Sequence, residues 1–436
     1  MKYTPAKTLI LFFLALITCG TLLLSLPVSL SKGAEFSLLS NLFTAVSASC
    51  VTGLTVVSIG EYYSLFGQIV IMLLIQFGGL GYMFVSTAAA LLLGRMALKD
   101  RRIMQELFDI TSFKDLKKML FKAVSFVLAV EAAGAIALAV LYFQKYSFFK
   151  SIYFGVFSAI SAFCNAGFFL YEDSLASYAN DPLILAVFSI LIISGGIGFF
   201  VLVDIYDAWK EKRLHLSLHS KVVFTATGII LAVSFLFFII YGSLTFFKGE
   251  SILYALSNSF FSAASARTAG FNTIDMSVYN GFSKMLLIIF MAIGAAPAST
   301  AGGLKVTTLV IIIAFIRSFL KSQSEVVIFK KRISEDIVKK ASIIFILFTM
   351  LTAAFSAVLI LLEIDKYPID ILFETVSAFS TTGLSMNTTP NLSQAGRIVI
   401  ILAMVTGRIG ILTLLISVID VKHPKVRYPE DKILVG

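Results

Sequence analysis

Residues 47–55 read SASCVTGLT, and residues 377–385 read SAFSTTGLS. Two looser copies lie between them, SAFCNAGFF at 161–169 and ASARTAGFN at 264–272. Aligned on their glycines, the four copies recur at nearly equal intervals, and each has a phenylalanine ten residues before the glycine. Matches in register at a fixed period are hard to obtain by chance and indicate an internal repeat. We therefore predict four structural repeats, each built around one copy of this phrase.

The composition indicates a protein dissolved in a lipid bilayer. Hydrophobic residues make up 58% and charged residues 14% of the 436 positions, whereas soluble domains carry about 25% charged residues. Several apolar runs are long enough to cross about 30 Å of hydrocarbon. They lie near 8–29, 63–93, 119–143, 182–206, 222–247, 283–318, 338–362 and 395–420. The sequence therefore predicts an all-α polytopic membrane protein with eight transmembrane helices.

The distribution of charge predicts the orientation of these crossings. The net charge is +10, and 25 of the 35 Lys and Arg residues fall in five segments that alternate with pairs of crossings. These segments are 1–7, 95–122, 210–221, 317–340 and 422–432. An excess of Lys and Arg marks the cytoplasmic side of a membrane protein. We therefore expect cytoplasmic N- and C-termini, an uncleaved first helix and no nucleic-acid partner, with docking of an acidic partner as a second use of the basic loops.

Each repeat follows the same plan. A crossing comes first, then a semi-polar stretch too short to span, then the glycine phrase, then a second crossing. Non-helical backbone at membrane depth is tolerated only where protein buries it or where it lines a water-filled path. We expect four re-entrant pore helices around one pore, in repeats 1–95, 96–210, 211–320 and 321–436. All four repeats point the same way, which fits a pore better than the inverted repeats of many carriers.

The glycine phrase offers backbone chemistry rather than side-chain chemistry. It contains no acid for a carboxylate ring, no catalytic triad and no metal-ligand cluster, so we expect no enzyme activity and no tightly bound structural metal. A ring of carbonyl oxygens can replace the hydration shell of a potassium ion, and glycine allows the required dihedral angles. The alternative is that the glycines merely end short helices. The candidate filter residues are Val51, Thr52, Gly53, Asn165, Ala166, Gly167, Thr268, Ala269, Gly270, Thr381, Thr382 and Gly383.

The second crossings also carry a repeated motif. It reads GGLG at 78–81, GGIG at 195–198, GGLK at 302–305 and GRIG at 407–410. Small residues allow close helix packing, which is one interpretation. Lys305 and Arg408 replace glycine in two copies, and a charge inside a membrane usually faces a cavity or a partner.

The four segments VTGL, CNAGF, RTAGFNT and STTGLS are similar to the filter segments of the Ktr/Trk/HKT superfamily of potassium transporters. The start directly at the first crossing resembles a bacterial Ktr membrane subunit of the KtrB type. The resemblance implies a potassium-translocating pore subunit in the inner (plasma) membrane, a homodimer among membrane lipids. It also implies a cytosolic ring of RCK-type subunits that bind ATP or ADP. No cofactor is expected in this chain, because GGLGYM lies within a crossing rather than after a strand.

The resemblance also bears on ion choice. Serine in place of the first filter glycine is associated with sodium-permeable members of the superfamily, and Gly53 keeps glycine. Potassium is therefore the expected ion, and the sequence leaves open whether sodium is a coupling ion. The alternative function is an ion-coupled secondary transporter with alternating access.

The crossing at 283–318 is too long for one straight span, and GAAPASTAGG at 294–303 lies within it. Proline and glycine disfavour continued helix. A kink is the alternative, but we predict a broken helix with an irregular loop. In the resembling family such a loop is the gate, and Arg408 matches an arginine that projects into the ion path. The candidate gate residues are Gly294, Ala295, Ala296, Pro297, Ala298, Ser299, Thr300, Ala301, Gly302, Gly303, Lys305 and Arg408.

Three further charges lie in apolar surroundings. Arg267 and Glu374 stand in the third and fourth pore segments, and we expect a buried structural ion pair between them rather than an ion site. Glu131, in the third crossing, has no partner that the sequence identifies. The three cysteines lack the spacing of a metal site or a disulfide framework.

Overall fold

The described part of the chain is almost entirely helical. The computed structural model describes residues 5–93, 113–171, 173–213 and 215–410. The helices of the first two repeats are α1 (Pro5–Leu24), α2 (Leu38–Cys50), α3 (Ile59–Tyr62), α4 (Leu65–Leu93), α5 (Phe113–Tyr142), α6 (Phe148–Phe163), α7 (Pro182–Gly196) and α8 (Phe199–Lys210). Those of the last two repeats are α9 (Leu218–Leu244), α10 (Ile252–Ser265), α11 (Gly281–Ala292), α12 (Val306–Leu320), α13 (Glu335–Leu362), α14 (Pro368–Phe379) and α15 (Gln394–Ile409).

Shorter elements connect these helices. The strands β1 (Val326–Ile328) and β2 (Lys331–Ile333) form an antiparallel hairpin between α12 and α13. Single turns of 3₁₀-helix lie at Pro27–Ser29, Ala176–Tyr178, Met276–Val278 and Thr389–Asn391.

Four of the described helices are long and apolar enough to cross a membrane, and a fifth span results if α7 and α8 count as one. The four lie at Lys7–Leu24, Phe121–Tyr142, Leu218–Leu244 and Glu335–Leu362. The fold is therefore helical and of membrane-protein type, as predicted. The predicted crossings 63–93 and 283–318 contain shorter apolar helices, and residues 411–420 of the last predicted crossing lie outside the described residues.

Two predicted crossings are interrupted. The run 283–318 divides into α11 and α12, as the sequence analysis predicted. The sequence analysis identified no interruption in the run 182–206, but this run divides into α7 and α8, which are bent by 94° relative to each other. Gly198 at the bend has a φ of +95°, which an L side chain rarely adopts. The chain leaves the helix at the one residue type that accepts this conformation without strain.

Four short helices, α2, α6, α10 and α14, precede the glycine phrases, and none is long enough to span a bilayer. Their starts are set by local chemistry. Ser37 and Ser251 cap α2 and α10 by accepting from backbone N–H groups, and Pro368 occupies the first turn of α14. Two of the short helices therefore begin at a capping serine and a third begins at a proline, and all four end at the glycine phrases.

The helices pack in a closed cycle. Within the described chain, α4 contacts α6 of the next repeat, α7 contacts α10, and α11 contacts α14. The last repeat completes the cycle, because α15 contacts α2 of the first. Each short helix is thus held against the second crossing of the preceding repeat, which brings the four glycine phrases together.

Candidate functional site

The four glycines of the phrases form a closed ring. A β-carbon placed on Gly53 would lie 2.9 Å from the Cα of Gly167, and one on Gly167 would lie 3.1 Å from the Cα of Gly270. A β-carbon on Gly270 would lie 3.1 Å from Gly383, and one on Gly383 would lie 3.1 Å from Gly53. The backbones of all four repeats therefore meet at one point, and no side chain fits between them.

We call residues 51–53, 165–167, 268–270 and 381–383 the glycine segments. All four share an unusual backbone conformation. The four glycines have positive φ, and so do the residues two positions earlier, namely Val51 (56°), Asn165 (57°), Thr268 (65°) and Thr381 (50°). Positive φ in a β-branched residue costs on the order of 1–3 kcal/mol and persists only where the surroundings impose it. Four copies of this conformation indicate that the backbone geometry itself is required.

Serines at the ends of the short helices hold this conformation. The backbone N–H groups of Gly53 and Gly383 donate to Ser47 and Ser377 Oγ, both at 3.1 Å. In the second repeat the N–H of Phe168 donates to Ser161 Oγ at 3.0 Å, and in the third Ser265 donates to the carbonyl oxygen of Phe271. These bonds anchor the backbone of each repeat to its own short helix.

The carbonyl oxygens of the glycine segments are left open. Among the described residues, no hydrogen-bond donor reaches any carbonyl oxygen of the four segments. The hydroxyls of Thr52, Thr268, Thr381 and Thr382 are buried and also lack a partner in the described chain. Buried carbonyl groups almost always have a partner in protein, water or ligand. The ring therefore offers unpaired oxygen atoms of the kind that can coordinate a dehydrated cation.

The third repeat departs from the predicted alignment by one residue. The phenylalanines at 43, 157 and 373 are buried, but Phe260 is 42% exposed and its neighbour Phe261 is fully buried. The supporting serine, Ser265, stands one residue closer to its glycine than Ser47 does. The sequence alignment is thus correct at the glycines and shifted by one residue in the short helix of this repeat.

The glycine motifs of the second crossings do pack closely, as one interpretation predicted. A β-carbon on Gly78, Gly195 or Gly407 would collide with the last carbonyl groups of the short helix in the same repeat. Gly302 differs, because it lies against Ser380 and Thr381 of the fourth repeat instead. The third repeat therefore reaches across to a neighbouring glycine segment.

Loop 294–303 connects α11 to α12 and is pinned at both ends. The N–H of Gly294 donates to the carbonyl oxygen of Leu304 at 2.9 Å, and the N–H of Leu304 donates to Ala292 at 3.0 Å. The loop also forms backbone hydrogen bonds with residues at the bend between α7 and α8. Phe199 N–H donates to the carbonyl oxygen of Ala298 at 2.9 Å. The bend of the second repeat and the loop of the third thus satisfy each other's backbone groups.

The two predicted cations both bind carbonyl oxygens near this loop. Lys305 Nζ donates to Ala301 at 2.6 Å. Arg408 donates to the carbonyl oxygen of Thr300 in the loop and, from Nη2, to Gly78 at 2.7 Å. The guanidinium group therefore joins α15, α4 and loop 294–303, which belong to three different repeats.

The predicted ion pair between Arg267 and Glu374 is wrong. Within the described chain Arg267 donates to Thr227 Oγ1 at 3.4 Å, and its Nε has no partner. Glu374 is fully buried and has all its bonds within its own repeat. It accepts from Ser385 Oγ at 2.6 Å, Met386 N at 2.9 Å and Thr389 Oγ1 at 2.5 Å. Three donors satisfy the carboxylate locally, so it needs no arginine.

Glu131 has a partner that the sequence analysis missed. Gln76 Nε2 donates to Glu131 Oε2 at 3.0 Å, and Cys164 Sγ lies 3.9 Å from Glu131 Oε1. Gln76 stands in α4 of the preceding repeat, so no local spacing connects the two residues. The available signal was that both are polar residues within apolar runs.

Comparison with known proteins agrees with this architecture. The family model for TrkH, described as a cation transport protein, matches residues 3–428. The Ktr system potassium uptake protein B of Bacillus subtilis is 37% identical over 100% of this chain and 98% of its own length. The protein of the same name from Vibrio alginolyticus is 35% identical over 99% of this chain and 94% of its own.

Two further relatives extend the comparison. The potassium/sodium uptake protein NtpJ of Enterococcus hirae is 34% identical, covering 100% of this chain and 98% of its own. The crystal structure of the potassium transporter TrkH from Vibrio parahaemolyticus has the same fold, with a TM-score of 0.77 at 18% identity over 96% of this chain and 86% of that one. The family model spans nearly the whole chain, and the three relatives align over 94–98% of their own length. This chain therefore belongs to the TrkH family of cation transport proteins.

Proposed function

We propose that the chain is the potassium-translocating, pore-forming subunit of a Ktr-type uptake system, with four membrane–pore–membrane repeats and eight crossings in the plasma membrane. The observation that carries the proposal is the closed ring of glycine segments with unpaired carbonyl oxygens. Relatives at 34–37% identity are named as potassium or potassium/sodium uptake proteins, which supports potassium as the cargo.

In this proposal the glycine segments form the selectivity filter. A dehydrated potassium ion exchanges its water shell for the backbone carbonyl oxygens of the four repeats. The strained backbone and the serine bonds hold these oxygens in place before the ion arrives. Gly53 keeps the first filter position free of a side chain, which favours potassium over sodium.

Loop 294–303 is the gate, with Lys305 and Arg408 as its supports. Both cations bind loop carbonyl oxygens, and a fixed positive charge beside the path raises the barrier for a cation. The loop is irregular and bonded at several points rather than packed as a helix, so it can adopt a second arrangement. Release of the Arg408 contact is the step that opens the path.

A cytosolic RCK-type ring that binds ATP or ADP drives this movement. The hairpin after α12 is exposed and basic, with Lys330, Lys331 and Arg332 at its turn and second strand. Because α12 begins immediately after loop 294–303, a partner that pulls on the hairpin also moves the gate. The termini are cytoplasmic and the subunit forms a homodimer in this scheme.

Reconstitution with a loop deletion tests the proposal. The full chain and a variant lacking residues 294–303 are placed in liposomes, and potassium and sodium flux are measured with and without the cytosolic ring and its nucleotide. We expect the deletion variant to conduct potassium without the ring. Uptake that still depends on the ring, in a correctly inserted variant, would show that the loop is not the gate.

The alternative is an ion-coupled transporter with alternating access. Single-channel recording from the same liposomes separates the two functions, because a pore gives unitary currents and a carrier does not. The same direction of all four repeats favours the pore.

A further inference from the structure

Thr300 is fully buried in loop 294–303, and its polar atoms contact three other parts of the chain. Its N–H donates to the carbonyl oxygen of Gly195 in α7 at 3.3 Å. Its carbonyl oxygen accepts from Arg408. Its hydroxyl donates to the carbonyl oxygen of Phe163, the last residue of α6, at 3.1 Å. No other residue of the described loop has all three of its polar groups engaged by other repeats.

The hydroxyl bond matters because of where Phe163 lies. The last carbonyl groups of a helix have no donor within the helix, and Thr300 supplies one at the base of the second glycine segment. One amide atom of Asn165, the first residue of that segment, lies 3.3 Å from Thr300 Oγ1. The other is the amide nitrogen, which donates to the carbonyl oxygens of Ala162 and Ile192 at 3.2 Å. The atom beside Thr300 is therefore Asn165 Oδ1, an acceptor that shares the single hydroxyl hydrogen of Thr300 with the carbonyl oxygen of Phe163. Asn165 has a positive φ, so this amide is part of the strained segment.

The other repeats lack this contact. The carbonyl oxygens of Ser49 and Phe379 correspond to that of Phe163, and a glycine packs against each of the three, namely Gly78, Gly407 and Gly195. Within the described chain, no side chain of the loop donates to the carbonyl oxygen of Ser49 or Phe379. Among the described residues, only the second glycine segment has a loop hydroxyl that donates a hydrogen bond at its base. The fourth segment meets the loop through the close packing of Gly302 against Thr381, whose hydroxyl has no hydrogen-bond partner in the described chain.

We propose that Thr300 is a positioning residue that couples loop 294–303 to the second glycine segment. The inference rests on the proposed function, in which the loop is the gate and the segment is part of the filter. The loop cannot leave its position without removing the donor from Phe163 and the contact with Asn165. By reciprocity, an ion that stabilises segment 165–167 also biases the loop.

The size of the effect follows from one hydrogen bond, which corresponds to roughly a two- to tenfold change in an equilibrium. Thr300→Val removes the hydroxyl and keeps the shape of the side chain. We expect potassium flux through the reconstituted chain without its ring to rise two- to tenfold, roughly as that one bond allows. We also expect the ratio of potassium to sodium flux to fall, because the segment loses its support.

Two further variants make the test specific. Thr300→Ser keeps the hydroxyl and should restore both the flux and the ion ratio. Thr352→Val makes the same replacement in α13 at a buried threonine whose hydroxyl has no partner in the described chain, and it should change neither. If Thr300→Val is not recovered from the membrane, Thr300→Ala supplies the same comparison with Thr300→Ser.

Each outcome decides the inference. Raised flux with an unchanged ion ratio would mean that the loop moves independently of the segment, and wild-type behaviour would mean that the bond is irrelevant. A loss of flux in Thr300→Ser as well as Thr300→Val would also contradict the coupling. The deletion of 294–303 in the same assay separates the two proposals. If it conducts freely while Thr300→Val behaves as wild type, the gate stands and the coupling fails; if the deletion also behaves as wild type, the gate itself is wrong.

Discussion

The glycine segments have nearly the same backbone conformation in all four repeats, whereas the glycine motifs packed beside them differ from repeat to repeat. At the segments the four repeats are alike, with the same positive φ values at the same two positions. At the motifs 78–81, 195–198, 302–305 and 407–410 they differ. The first repeat continues as a helix, the second bends by 94°, the third opens into a loop, and the fourth carries Arg408.

In the proposed function, this difference corresponds to two tasks, the binding of a cation and the movement of a gate. A site that surrounds a spherical cation works best with equal contributions from all sides, so every repeat must keep its glycine. A movable element needs unequal neighbours, because something fixed must hold it in each of its positions. Here the bend, the arginine and the unbroken helix of three repeats provide fixed contacts for the loop of the remaining one. The following variants test this division.

The largest effect is expected from Gly383→Ala. A β-carbon there would collide with the carbonyl oxygen of Thr52, and the φ of +91° is strained for alanine. A strain of about 2–3 kcal/mol corresponds to roughly a hundredfold loss of potassium flux. The control is Gly228→Ala in α9, where nothing lies within 4 Å and flux should be unchanged. Equal flux in the two variants would mean that the ring tolerates a side chain.

Arg408→Ala should raise potassium flux rather than lower it, and its effect should be smaller than that of Gly383→Ala. It removes the bonds that join loop 294–303 to α4, and bonds from a charged donor contribute about 1.5–3 kcal/mol. We expect potassium flux without the ring to rise about tenfold, measured in liposomes as radioactive rubidium uptake. Arg397→Ala, at the other end of α15, removes an arginine whose partners within the described residues are the carbonyl oxygens of Leu392 and Pro390, and it should leave flux unchanged. Unchanged flux in Arg408→Ala would assign Arg408 to packing alone.

The smallest effect is expected from Ser377→Ala. This variant removes the acceptor for the N–H of Gly383, one neutral bond of about 1 kcal/mol, and leaves the backbone bonds of the segment in place. The ratio of potassium to sodium flux should fall by about threefold, with little change in total flux. The control is Thr375→Val, which removes a hydroxyl whose one partner in the described part of the chain is the carbonyl oxygen of Ile371 within α14, so the ratio should not change. A fall in both variants would point to the helix rather than to the serine.

The sequence predicted those features that repetition and composition determine. Four similar phrases revealed the repeats, and Pro297 with its neighbouring glycines revealed the interruption of the third repeat's second crossing. The role of Lys305 and Arg408 as cations with polar partners followed from the cost of burying a charge in an apolar run.

Features that depend on contacts between repeats were not predictable in this way. The bend at Gly198 is stabilised by loop 294–303, about a hundred residues away in sequence, and GGIG looks like ordinary helix packing. Gln76 and Glu131 meet because α4 and α5 lie side by side. Glu374 was assigned to Arg267 by charge alone, whereas the nearby hydroxyl and amide donors satisfy it. The one-residue shift in α10 is invisible when the repeats are aligned on glycine.

The ring of glycines closes between the two ends of the chain. Gly383 contacts Thr52 and Gly53, and α15 packs against α2. The first glycine segment therefore lacks one of its neighbours until the last segment has been synthesised. A ribosome reaches these positions in order, and domains of a membrane protein are inserted as they emerge. Until the fourth repeat arrives, the first three have no complete ring of carbonyl oxygens. An ion site that needs all four glycine segments therefore exists only in the finished chain.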